Sequence, residues 1–260
     1  MLGDHVFLGQ TRSVATDTLH RLRYALSVLE PRQLAMRRFR CPICGGGLLL
    51  RFSADPIGVR CLRCAASAIT LSLVSVLVSV RPGFRNDRAY ELSSRGPLFE
   101  FMRREVRDLA WSEYFDDVAP GERRGGVLCQ DVQHLTFPDA SFDLCTSTEV
   151  FEHVPDDAKG FAEIRRVLRP GGTFVFTVPI AQAAVSVERA RYADGRVHHL
   201  LPAAYHDDRI RGRGKVLVYR DYGRDLPERL RRHGFREARL DTRFESAFLG
   251  HGRAVVVATA

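Results

Sequence analysis

Four cysteines stand in two pairs, Cys41 with Cys44 in CPIC and Cys61 with Cys64 in CLRC, and Gly45, Gly46 and Gly47 follow the first pair directly. A tight turn presents two thiolates together, and a glycine after the second cysteine lets backbone amides point at the sulfurs. Two such knuckles complete a tetrahedral shell of four thiolates. The spacing therefore points to a structural zinc ion held by Cys41, Cys44, Cys61 and Cys64. A redox CxxC needs only one pair, and rubredoxin-like ribbons hold iron with the same ligand set. A closed four-thiolate site has no open position for chemistry, so it is assigned to folding or recognition. Cys129 and Cys145 are single and fall in or beside strands, where cysteine is a small core hydrophobe.

The elements that must position the remaining polar residues are densest between Asp131 and Pro179. Phe142, Asp143, Leu144 and Cys145 read as a buried parallel strand that stops at the polar loop Thr146 to Glu149. Loops at that edge of an open α/β sheet are where ligands bind. After Pro155, Phe161, Ile164, Val167 and Leu168 recur at helical spacing, with Lys159, Glu163, Arg165, Arg166 and Arg169 on the other face. Pro170, Gly171 and Gly172 end that helix, and Thr173 to Val178 reads as the next strand. The unit is strand, helix, strand.

Taken in order, Asp131 with Val132, then FDL at 142 to 144, EHV at 152 to 154 and LRPGG at 168 to 172 resemble the class I S-adenosylmethionine (SAM) dependent methyltransferases of the type 11 kind. The resemblance implies a Rossmann-like α/β fold with a seven-stranded sheet whose last strand is antiparallel, here preceded by a small zinc ribbon. Strands are expected at Ala89 to Leu92, Val106 to Trp111, Gly126 to Cys129, Phe235 to Arg243 and Ala254 to Thr259, with helices at Leu98 to Arg104 and Leu226 to His233.

The same resemblance assigns cofactor contacts. The loop after the first strand usually reads acidic-x-Gly-x-Gly-x-Gly, whereas the aligned positions here are Glu91, Ser93, Arg95 and Pro97, with Gly96 one place out of register. In one reading the small Ser93 and Ser94 still admit SAM, the helix start supplies amide donors, and Arg95 pairs with the methionine carboxylate. In the other the loop excludes SAM and the domain is a scaffold. Glu113, about twenty residues after Glu91, is placed to accept both ribose hydroxyls, as the acidic residue of dinucleotide folds does. Asp131 is expected at the adenine amino group with Val132 along the ring edge, and Thr148 and Glu149 at the methionine half and sulfonium.

Methyl transfer needs an acceptor lone pair aligned with the S–CH3 bond, and an alcohol acceptor must also lose a proton. His153, at the start of the helix after the fourth strand, is one candidate base. His199 and His206, in a segment that also carries His198, Tyr205 and Asp207, are the others, because insertions there usually cover the substrate in this fold. The tetrapeptide of amino-methylating enzymes and the Pro-Cys pair of cytosine C5 enzymes are both missing, which favours an oxygen of a small molecule or sugar. An RNA acceptor recognised through the ribbon is the alternative, since similar layouts occur among ribosomal RNA guanine methyltransferases, though their second metal pair typically includes His.

A chain of 260 residues, 45% apolar, accommodates one α/β domain and a small appendage. Its net charge of +8 comes from arginines interleaved with acids, a weak footprint for nucleic acid. Without an apolar span or an export signal, the expectation is a soluble cytoplasmic protein whose thiols are reduced. Residues 1–37 are expected to form a helical segment with an amphipathic helix at Asp17 to Leu29, 38–68 the ribbon, 69–85 a connecting helix and 86–260 the methyltransferase domain. Ile69 to Val80 fits a helical stripe, although its valines suit a strand.

Overall fold

The computed structural model describes residues 29–208 and 214–260, so the helix expected at Asp17 to Leu29 lies outside the described residues apart from its last position. The chain begins with three antiparallel strands, β1 (Ala35–Arg38), β2 (Leu48–Arg51) and β3 (Val59–Cys61), followed by helix α1 (Ala68–Val80). Strand β4 (Arg88–Glu91), helix α2 (Gly96–Glu105) and strand β5 (Asp108–Trp111) come next, then a small ribbon of β6 (Arg123–Arg124) and β7 (Val127–Leu128). Strand β8 (Phe142–Thr148), helix α3 (Asp157–Val167) and strand β9 (Leu168–Thr177) form the central unit. Three short antiparallel pairs follow, built from β10 (Val187–Glu188), β11 (Ala190–Ala193), β12 (Arg196–His199), β13 (Tyr205–Asp208), β14 (Gly214–Leu217) and β15 (Arg220–Asp221). Helix α4 (Leu226–Arg232) and strands β16 (Glu237–Asp241) and β17 (Val255–Thr259) close the chain.

The main sheet runs β16-β17-β9-β8-β4-β5. Strands β5, β4, β8 and β9 are parallel, and β17 is antiparallel to both its neighbours. This is the expected order, with one correction. The third strand expected at Gly126 to Cys129 is not a full ladder: β7 pairs only with β6, and the seventh sheet position is a single parallel bridge from Glu113 to Cys129. Its bonds, Glu113 N–H to Leu128 O at 2.9 Å and Gln130 N–H to Glu113 O at 3.0 Å, still fix the loop beside the sheet edge.

Two further boundaries shift. Strand β8 continues through Thr148, past the predicted stop at Cys145, because Thr146, Ser147 and Thr148 pair with Val175 to Thr177. The LRPGG turn is absorbed as an irregularity of β9, where the register slips between Phe142 and Leu144. Gly171 adopts φ +79° there, and a Cβ on Gly172 would approach the Arg169 carbonyl to 2.9 Å. Glycines are required for this close approach.

Alternate residues of each strand serve opposite cores, as a period of two demands. Tyr90, Cys145, Phe174, Phe176 and Val256 face α3 and α4. Ala89, Leu144, Val175, Val255 and Val257 face the other side, where α1 and α2 pack together with Cys41, Ile43, Leu49, Val59 and Cys61 of the cysteine-bearing ribbon. Residues 69–80 are helical because the first turns of α1 are covered on all sides, with Ala68 to Val74, Val76 and Leu77 buried and Val78 and Ser79 exposed at its end. A helix apolar all round is a core helix. Its buried Ser72 is satisfied twice, donating to Ala68 O at 2.9 Å and accepting from Arg253 N–H at 3.1 Å. Among the described residues no helix is long and apolar enough to cross a membrane.

Since ribbon and sheet share one apolar cluster, Leu49→Ala in β2 and Leu73→Ala in α1 should each cost about 2–5 kcal/mol. Both should shift the urea transition reported by the single tryptophan, Trp111, which lies in β5 of the main sheet. A Leu49→Ala protein whose Trp111 transition stays at the wild-type midpoint would show the ribbon to be an independent unit.

Candidate functional site

The four predicted metal ligands converge. Cys41 and Cys64 sulfurs lie 3.8 Å apart and those of Cys44 and Cys61 3.6 Å apart. Zinc–sulfur bonds of about 2.3 Å at tetrahedral angles place sulfurs about 3.8 Å from one another, so the donor set fits zinc. Gly45 takes φ +66°, and the Gly46 amide then donates to Cys44 Sγ at 3.3 Å. Burial pushes the Cys41 thiol up to about 11, while the Cys64 and Arg63 amides hold Cys61 below the ordinary thiol value despite its burial. One knuckle also touches the main domain: Arg104 of α2 donates to Ile43 O at 2.6 Å.

The predicted cofactor residues line the C-terminal ends of the parallel strands. Glu91 ends β4, is 1% exposed and accepts from the Thr146 hydroxyl. Burial pushes its carboxyl up to about 8, with the Thr146 bond opposing and the Glu113 charge adding to the shift. Glu113 is also buried, and its Oε1 accepts from Ser94 N–H at 3.0 Å, Ser94 Oγ at 3.1 Å and Ser93 Oγ at 3.2 Å. Arg95 Nε stands 3.9 Å from the same oxygen. Ser93 and Ser94 thus hold the loop against the Glu113 carboxylate. Gly96 follows at φ +87°, opening α2 with no side-chain cap on its first amides.

Asp131 lies beyond the bridged edge, where its carboxylate accepts from Gln133 N–H at 2.9 Å in a local turn, and Val132 packs against the α3-side core. Thr148 ends β8. Glu149 follows at φ +51° and receives Arg253 on Oε2 at 2.7 Å. Around it, Ser147 Oγ, Thr148 Oγ1, Thr177 Oγ1 and Glu149 Oε1 are buried without a hydrogen-bond partner. Orphaned buried polar atoms mark a place where a polar ligand is accommodated.

Of the three candidate bases, two meet. His153 Nε2 lies 3.3 Å from His206 Nδ1, and each is 3.7 Å from Glu152 Oε1. His199 does not join them; it sits exposed on β12 opposite Ala190. Glu152 is 1% exposed with neither oxygen hydrogen-bonded. Burial first, and then the Glu149 charge, raise its carboxyl well above the usual range. Glu152 and His206 border a cavity of about 160 Å³ with Pro179, Ile180, Ala181 and Val218.

The segment that brings His206 here is clamped by a buried arginine. Arg220 of β15, 3% exposed, donates to Val154 O at 2.9 Å and Pro155 O at 3.2 Å and pairs with Glu188 at 3.0 Å. Asp157 lies 3.4 Å from it and also receives Tyr222 and Arg229. The Leu217 carbonyl binds His153 Nδ1 at 2.8 Å, and Tyr219 N–H reaches Glu152 O at 2.8 Å. Sequence reasoning placed Glu152 only within the EHV motif and missed Arg220 and Arg253. Glu152 was recoverable from its place beside His153; neither arginine has a local motif.

A family model described as a methyltransferase domain matches residues 96–176. Dimethylglycine N-methyltransferase of Parasynechococcus marenigrum is 34% identical over 118 residues, 45% of this chain and 41% of that protein. Ubiquinone biosynthesis O-methyltransferase of Coxiella burnetii is 32% identical over 110 residues, 39% of this chain and 45% of that one. The chain thus spans less than half the length of these curated relatives. Among solved structures, a SAM-dependent methyltransferase of Mesorhizobium loti is 20% identical, with a TM-score of 0.46 over 73% of this chain and 98% of that one.

Glu91 gives a pH signature. Its folded pKa, about 8, exceeds the ordinary 4.5, so its favourable contribution is complete below about pH 4.5 and is lost as the pH rises to about 8. Glu91→Gln removes this dependence. Urea unfolding at pH 5.5 and pH 8 should show the variant gaining on the wild type with pH, by on the order of a few kcal/mol. A difference independent of pH would contradict the assignment.

Proposed function

We propose that this chain, whose residues 96–176 match a model described as a methyltransferase domain, transfers the SAM methyl group to an oxygen of a small-molecule or sugar acceptor. The observation that carries the choice of oxygen is the meeting of His153 and His206 beside Glu152 in the cleft past Thr148 and Glu149. A neutral amine attacks a methyl sulfonium without losing a proton first, whereas a hydroxyl is a poor nucleophile until its proton is removed.

SAM supplies an electrophilic methyl group on a positively charged sulfur. Glu113 would hold the ribose hydroxyls in place of Ser93 and Ser94, and Asp131 and Val132 the adenine. The open amides of α2 and Arg95 suit the methionine carboxylate. The orphaned hydroxyls of Ser147, Thr148 and Thr177 and the Glu149 carboxylate stand where the sulfonium end would lie. The acceptor oxygen forms its bond to carbon as the carbon–sulfur bond breaks, and the electron pair of that bond stays on sulfur. His153 or His206 takes the hydroxyl proton. With Nδ1–H of His153 donating to the Leu217 carbonyl, its Nε2 carries the lone pair that faces the cleft. Closure by the segment held at Arg220 keeps water from the sulfonium.

The four-thiolate site is read as structural zinc, because its ligands belong to the apolar cluster that supports α1 and α2. That position favours a folding role over recognition of RNA.

Calorimetric titration of the zinc-loaded protein with S-adenosylhomocysteine tests the reading. Micromolar binding is expected, weakened at least roughly tenfold by Glu113→Ala, which removes two charge-assisted hydrogen bonds. A folded wild type that binds none would overturn the enzyme reading and leave a scaffold.

Removing the clamp has a separate signature. Arg220→Met removes the buried guanidinium from Glu188 and from the Val154 and Pro155 carbonyls, while Asp157 keeps Tyr222 and Arg229, and should cost about 3–5 kcal/mol by chemical denaturation. A variant as stable as the wild type would show that the clamp does not hold the cover.

A further inference from the structure

We propose that Glu152, His153 and His206 form a second metal site, one that binds a zinc-like divalent cation with an open coordination position in the acceptor cleft. Its use in methyl transfer rests on the function proposed above; the binding itself does not.

The geometry comes first. The three donor atoms, Glu152 Oε1, His153 Nε2 and His206 Nδ1, form a triangle with edges of 3.7, 3.7 and 3.3 Å. Two bonds of about 2.1 Å at a tetrahedral angle span about 3.4 Å, so a contraction of about 0.3 Å along the two longer edges lets one cation bind all three donors. Two imidazoles and one carboxylate are a donor set that borderline divalent ions occupy while keeping further positions open.

The orientation of the ligands points the same way. A metal-bound histidine characteristically donates its other ring N–H to a carbonyl or carboxylate, which fixes the tautomer and aims the remaining lone pair. His153 does this through Nδ1 to Leu217 O at 2.8 Å, which turns Nε2 toward His206 Nδ1 and Glu152. Leu217 lies in β14, and His206 lies in β13 opposite Val216, so a single hairpin supplies one ligand and orients another.

An independent observation is the state of Glu152. It is 1% exposed, and neither carboxylate oxygen has a hydrogen-bond partner. A carboxylate buried in that condition must either take up a proton or gain a compensating cation. The nearby Arg253 is engaged with Glu149 at 2.7 Å, and Arg220 with Glu188 and two carbonyls. A bound cation is the partner that Glu152 lacks.

The remaining position would open on the cavity bordered by Pro179, Ile180, Ala181 and Val218. A hydroxyl bound there would ionise near neutral pH, releasing its proton to solvent, and its oxygen would bond to the methyl carbon as the carbon–sulfur bond breaks and the electron pair stays on sulfur. The cation then replaces the histidines as the means of activating the acceptor.

Metal content of the full-length chain, expressed with zinc and desalted, provides the test. The wild type should hold two zinc ions per chain. His206→Ala and Glu152→Gln should each hold one, with affinity for the second ion at least roughly tenfold weaker by titration. His206 is about half-exposed, so its removal leaves the core intact, and retention of the four-thiolate zinc with an unchanged circular dichroism spectrum reports the fold. Cobalt substitution separates the sites, because only the thiolate site gives sulfur-to-metal charge-transfer absorption. One zinc per chain in the wild type, or two in both folded variants, would overturn the proposal. Titration of the same samples with S-adenosylhomocysteine distinguishes this failure from that of the methyltransferase reading.

Discussion

Desolvation of carboxylates at one end of one sheet is the constraint around which this structure is arranged. Glu91, Glu113 and Glu152 are each at most 2% exposed, and they follow or end three successive parts of the parallel sheet edge. Glu91 is met by a threonine hydroxyl and Glu113 by two serines and an amide. Glu152 has two histidines at 3.7 Å and no hydrogen bond. Burying acids that way costs stability unless a ligand completes their shells, and pre-set polar groups in a dry cleft are what positioning and charge stabilisation require. The sheet can tolerate this because both its faces are closed by apolar cores.

The ribbon contributes to that closure. Its buried residues, including Cys41 and Cys61, join α1, α2 and one face of the sheet in a single cluster. Helix α2 starts at the loop that lies on Glu113 and, near its other end, Arg104 bonds to Ile43 between the first two cysteines. The metal knuckle and the cofactor loop are therefore the two supports of one helix. In that arrangement a zinc held by the four thiolates would act through packing rather than through chemistry.

Much of the fold was legible in the sequence because it is local. The period of two in the strands, the amphipathic stripe of α3 and the breaks at Pro170 to Gly172 locate the central unit without tertiary information, and CxxC spacing locates the ribbon. What failed was decided by tertiary pairing. Gly126 to Cys129 has strand-like residues, yet only Cys129 bridges to the main sheet, and Thr146 to Thr148 are polar but paired in β8. The valines of α1 suit a strand, but burial around its first turns makes a helix of it. At the site, the histidines were visible as residue types, whereas the meeting of His153 with His206, and the exclusion of His199, depends on how hairpins fold over the cleft. Arg220 shows the same limit: its carbonyl partners Val154 and Pro155 are 66 and 65 residues away in sequence and no local pattern announces them.

The central claim is that SAM lies along the Glu91, Glu113 and Asp131 edge with its methyl group directed at the Glu152, His153 and His206 cluster. A crystal structure with S-adenosylhomocysteine bound tests it most directly. The account predicts ribose hydroxyls on Glu113, with Ser93 and Ser94 displaced from that carboxylate, and sulfur beside Thr148 and Glu149 facing His153 and His206. A complex with the serines still on Glu113, or with the sulfur turned away from the histidines, would contradict it.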